Sequence, residues 1–206
     1  MLIIIRDYFW PILKDFSEAE KNEIKQEEVD ELDKINKTDW ALDYNFALQE
    51  SHRIAEDEEA RLKTVESKAT NLLLFIGALI PLLTYLEPVT KIANIKSTPL
   101  WIVIVLLILA IVYLCKAGLW AFRTLNVGNY HRVYSKDLVK SWEAKDASKN
   151  KLIKEILSAT RKNQESINSK VTALKMTHAF LLRAILTLAT LFLIRLFFEL
   201  WNIAGL

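Results

Sequence analysis

The chain has 206 residues, of which 52% are hydrophobic and 25% charged, with a formal net charge of +2 and a mean hydropathy of +0.16. That length allows one ordinary domain, or a small domain plus membrane segments. High charge and positive hydropathy coexist only when apolar and charged residues occupy separate blocks, which excludes an ordinary soluble enzyme, a disordered chain, a collagen-like fibre and, with Cys115 alone, a disulfide scaffold.

Residues 1–13 read MLIIIRDYFWPIL. The apolar run comes first and Arg6 and Asp7 break it, so no secretory signal is expected. Leu2 to Ile5, Phe9, Trp10 and Leu13 either lie flat at a membrane surface or pack on the protein itself. Residues 14–68 form an acidic stalk with seventeen acidic and nine basic residues, a net of −8. Ala41, Leu48, Ala55, Leu62 and Ala69 recur at every seventh position, and Ile76 and Leu83 extend the stripe. Such a repeat is a helical packing seam. With no Pro or Gly between Asp15 and Ala69, a continuous helix is expected from an N-cap at Thr38 or Asp39 through Leu86. Its length would be on the order of 70 Å.

Three apolar blocks follow. Ala69–Leu86 carries no charge and is just long enough to span, with Pro81 inside it. Leu100–Phe122 has Trp101 and Trp120 near its two ends, as at membrane interfaces. Residues 69–122 thus read as a transmembrane hairpin. The third block, Ala179–Ile203 within residues 179–206, carries Arg183, Arg195 and Glu199. It spans if Arg183 snorkels to one surface and the other two lie near the opposite surface, or face protein or water. The turn 87–99 holds only Lys91 and Lys96 as basic residues, whereas residues 123–178 hold twelve Lys and Arg against five acids, a net of +7. The positive-inside rule therefore puts the long basic region and the acidic stalk in the cytoplasm. The two are opposite in sign and suited to dock on one another or on neighbouring subunits. Ile153, Thr160, Ile167, Leu174 and Leu181 form a second seven-residue stripe, and Asn126–Tyr134 is turn-rich. The fold class expected is all-α: an oligomeric integral membrane protein with two to three transmembrane helices continuous with long cytoplasmic helices.

Catalytic signatures are missing. His52, His131 and His178 lack metal-ligand spacing, and no phosphate loop, GxSxG elbow or CxxC occurs. The run Glu56-Asp57-Glu58-Glu59 is spread around a helix and forms no dyad on one face. Neither enzymatic activity nor a cofactor or resident metal is expected. Among the polar residues of the apolar blocks, Arg183, Thr187 and Thr190 share one helix face, and Asn71 and Thr84 mark the ends of the first block. Two readings stay open. They line a water-filled path between subunits, or each Thr bonds back to its own helix while Arg183 snorkels.

Arg61-x-Lys63-x-x-Glu66-Ser67-Lys68-Ala69 feeding LLLFIGALIPLL resembles the entry to the first membrane helix of the SLATT and Pycsar-type effector families. Arg123-x-Leu125-Asn126-Val127, and Asn163-x4-Asn168-x-Lys170-x3-Leu174, are similar to their later segments. The Hailong-type channel effector is another relative in layout. The resemblance implies a small bacterial inner-membrane, multi-pass protein of anti-phage defence, with the lipid bilayer and its own copies as partners. It also implies gating by a nucleotide second messenger from a partner nucleotidyltransferase or cyclase, and no nucleic-acid duplex as ligand. On that view Arg123, His131, Arg132 and Lys136 are candidates to hold the anion, with Asn129 and Tyr130 hydrogen bonding or stacking. Arg123 and Arg132 are equally suited to hold lipid headgroups. A non-conducting scaffold that recruits a soluble partner through the acidic stalk is the alternative function.

Overall fold

The computed structural model describes residues 18–85, 100–126, 128, 130–143 and 148–203. Five α-helices and one 3₁₀ turn are described: α1 (Glu18–Lys37), the turn Ala41–Asp43, α2 (Tyr44–Tyr85), α3 (Leu100–Leu125), α4 (Ser135–Glu143) and α5 (Ser148–Ile203). No strand occurs among the described residues, in accord with the all-α expectation. The segment 1–13 and the turn 87–99 lie outside them.

The chain divides into two units: Ser67–Asn126 with the chain from Thr172 onward, and Lys14–Glu66 with Val127–Val171. Both α2 and α5 contribute to each. The acidic and basic regions, distinct in the sequence, fold for most of their length into the second unit.

In the first unit the core is built from three helices. Ile76 of α2 meets Tyr113, Leu114 and Ala117 of α3 and Met176, Phe180, Leu181 and Ala184 of α5. Ala110, Ala117 and Ala121 of α3 are fully buried. They repeat at helical spacing on one side, and small residues there let helices approach closely. The opposite side of α3 exposes Trp101, Val105, Ile108, Ile111, Leu119 and Phe122. Two helices are long and apolar enough to cross a membrane: α3 over Trp101–Leu125, and α5 within Lys149–Phe198. Only 28% and 24% of their apolar windows are buried, unlike the core helix of a soluble domain. The first apolar block forms the end of α2, which stays helical across Pro81 to Tyr85 and packs through Leu72, Ile76 and Leu79.

In the second unit the acidic and basic segments dock directly. Arg161 of α5 pairs with Glu31 of α1, Lys154 Nζ donates to the Asn36 carbonyl at 2.6 Å, and Asn150 donates to Asp39 at 3.1 Å. Both seven-residue stripes pack for part of their length: Leu62, Ala69, Ile76, Ile153, Ile167, Leu174 and Leu181 are buried, while Leu48, Ala55 and Thr160 are half-buried.

The helix expected from Thr38 or Asp39 onward begins later. Thr38 closes α1 through its hydroxyl and amide on the Lys34 carbonyl, and Asp39 is drawn to Asn150. Asp43 caps α2, accepting from the Phe46 amide at 3.0 Å. Short polar side chains that bond the local backbone offer it an alternative to continuing the helix.

Candidate functional site

The turn-rich segment after α3 meets α5 at Gly128, Tyr130 and His131. Gly128 comes so near that an added Cβ would lie 2.9 Å from Ser166 Oγ. Asn163 grips the backbone of His131 from both sides: its Nδ2 donates to the His131 carbonyl and its Oδ1 accepts from the His131 amide, each at 2.8 Å. Asp137 accepts from the Tyr134 amide at 3.0 Å and starts α4.

This strap, α2 and α5 enclose a cleft of about 310 Å³. Its apolar wall is Leu62, Ile156 and Ile167, and its polar rim includes His52, Tyr130, His131, Arg132, Thr160 and Asn163. Glu58 and Glu59 also line it, but each carries a cation of its own. Arg61 lies 3.4 Å from Glu58 and Lys63 lies 3.1 Å from Glu59. The Lys63 hydrogen bond, with its charge and a smaller pull from Arg132, holds the Glu59 carboxyl below its ordinary range. A second, more polar depression of about 260 Å³ shares His131, Arg132 and Val133 and adds Asp137, Glu155, Ser158 and Lys162. The cleft suits a ligand with a partly apolar moiety and an anionic group, the latter facing Arg132.

Of the anion-binding candidates, Tyr130, His131 and Arg132 come together at this cleft. Arg123 does not join them. It ends α3 in the first unit, its guanidinium 5.1 Å from the Trp120 ring centroid. Lys136 lies on α4, its ammonium 5.7 Å over the Tyr134 ring, and lines neither depression. Asn129 lies outside the described residues. Sequence reading missed Asn163, Thr160 and Lys162 as site residues. Thr160 stands in the second stripe and Asn163 in the motif of the resemblance, both on the face of α5 that carries Ile156 and Ile167, whereas Lys162 lies on another face of the helix.

Arg183, Thr187 and Thr190 each bond to a carbonyl of their own helix. Arg183 Nη1 donates to the Ala179 carbonyl at 2.8 Å. Thr187 donates to Arg183 and Thr190 to Leu186, at 2.8 and 2.9 Å. Thr190 and Asn71 are exposed, and Thr187 is half-buried. The side chain of Thr84 lies outside the described residues.

Four of the residues quoted for the resemblance, Arg61, Glu66, Asn168 and Lys170, join α2 to α5. Arg61 Nη2 donates to Asn168 Oδ1 at 2.9 Å. Lys170 Nζ lies 2.6 Å from Glu66 Oε1 and 5.4 Å from the Tyr130 ring centroid. No family model, curated protein or solved structure matches the chain.

Proposed function

We propose that this protein is a bacterial inner-membrane effector of anti-phage defence that assembles with its own copies and opens an ion path when a nucleotide signal binds the strap cleft. The carrying observation is the continuity of α2 and α5. Each bears a wall of the cleft and, farther along the same unbroken helix, an apolar block. A ligand that shifts the strap against these helices would therefore act on segments sunk in lipid. The nucleotide class comes from the resemblance. The apolar wall beside Arg132 agrees with it, since a base can lie on the former and a phosphate near the latter. Self-assembly rests on the exposed sides of the apolar helices.

The test is potassium efflux from liposomes carrying the full-length protein, with cyclic mono- and dinucleotides added in turn. We expect one nucleotide to trigger efflux and Arg132→Ala to abolish its effect. Silence to every nucleotide would remove this reading. The scaffold reading gains from α1, where Ile24 and Val29 are exposed among Glu23, Glu27 and Asp30. On that reading liposomes stay tight in all conditions and a soluble partner binds residues 14–68.

A further inference from the structure

Lys170 is buried, with 6% of its side chain exposed, in the last turn of α5 before the chain leaves the second unit at Val171. A buried ammonium is costly unless its hydrogen bonds are met. Here two partners from different segments meet it. Glu66 of α2 takes one donor at 2.6 Å, and Glu66 is likewise the last α2 residue of that unit. The ring of Tyr130, from the strap, lies 5.4 Å from the same ammonium, within the range of a cation–π attraction. The Tyr130 hydroxyl is buried. Tyr130 also lines the cleft. The strap–α5 contact at Asn163 and the α5–α2 contact at Arg61–Asn168 each join two segments. Lys170 joins all three.

We propose that Lys170 is a positioning residue that relays the state of the strap to α2. When Tyr130 sits over the ammonium, the strap, α5 and α2 are held as one body. When Tyr130 is drawn toward an occupant of the cleft, Lys170 loses a partner and the Glu66 contact loosens with it. Leaving costs Tyr130 its contact with the ammonium, and an occupant of the cleft must offset that loss with contacts of its own. The functional weight of this relay rests on the cleft being the sensing site, whereas the coupling itself does not.

Hydrogen exchange measured by mass spectrometry on the full chain in nanodiscs reads the coupling with no ligand added. We expect Tyr130→Ala to speed exchange roughly tenfold in the strap and also in the turns of α2 around Glu66. In a Lys170→Met background the same Tyr130→Ala change should affect the strap alone. Met fills the lysine's space and lets the half-exposed Glu66 turn to water, so that background should stay folded. If it unfolds, Glu66→Gln serves in its place. Exchange around Glu66 that ignores Tyr130→Ala, or responds equally in both backgrounds, overturns the relay. Potassium efflux from the same preparations separates the two proposals. A wild type that never conducts removes the channel while the exchange coupling stands. A conducting wild type with no exchange coupling removes the relay alone.

Discussion

Asn163 shows how much one side chain can decide. Its amide imitates a peptide group, donating and accepting on the same residue of the strap, so it sets where Tyr130, His131 and Arg132 stand. Asn163→Ala removes both bonds, at about 1 kcal/mol each. We expect exchange of the His131 amide to rise about tenfold, with Asn163→Asp intermediate because it keeps only the acceptor. Lys170 makes a different prediction. Burial pulls its pKa down, but the Glu66 carboxylate and the neighbouring Tyr130 outweigh burial and leave it above the ordinary lysine value. A group whose folded pKa is raised stabilises fully below its unfolded value, about 10.4, and loses that contribution as pH climbs through the folded value. The difference in thermal midpoint between wild type and Lys170→Met should therefore stay level from about pH 6 to about pH 9 and change only above the lysine range. A change near neutral pH would mean that another group controls the contact.

At the scale of elements, the two seven-residue stripes were legible because burial leaves a period in the sequence. Ile76, Ile153, Ile167 and Leu181 are all buried as that period requires. The boundary at residues 38–43 was legible only in part: Thr38 and Asp43 bond the local backbone, whereas Asp39 meets Asn150, a partner distant in sequence. The cleft was half legible. The turn composition of 126–134 marked the strap, but nothing local in the sequence says that Asn163 faces His131. Ile167→Asp places a charge at a site 2% exposed and should cost more than about 3 kcal/mol, seen as a lower thermal midpoint in detergent. An unchanged midpoint would show that the stripe does not pack. Thr187 is half-buried and bonds to its own helix, so Thr187→Trp should leave folding intact. Loss of triggered efflux in that variant would place this face of α5 on the ion path, and wild-type efflux would take it off.

For the molecule as a whole, the segregation of charge and hydrocarbon dominates. The second unit ties an acidic helix to a basic one through Arg161–Glu31, Lys154–Asn36 and Asn150–Asp39. The first unit turns large apolar side chains outward on α3 and on the later part of α5. In water such a surface would drive aggregation, whereas in lipid it needs no cover. The chain supplies its own reporter for this distinction, because its single cysteine, Cys115, is exposed on α3. A fluorophore on Cys115, in nanodiscs carrying either spin-labelled lipid or dissolved iodide, tests the account most directly. We expect strong quenching by the lipid-borne label and little by iodide. Strong quenching by iodide with none from lipid would place α3 in water and contradict the account.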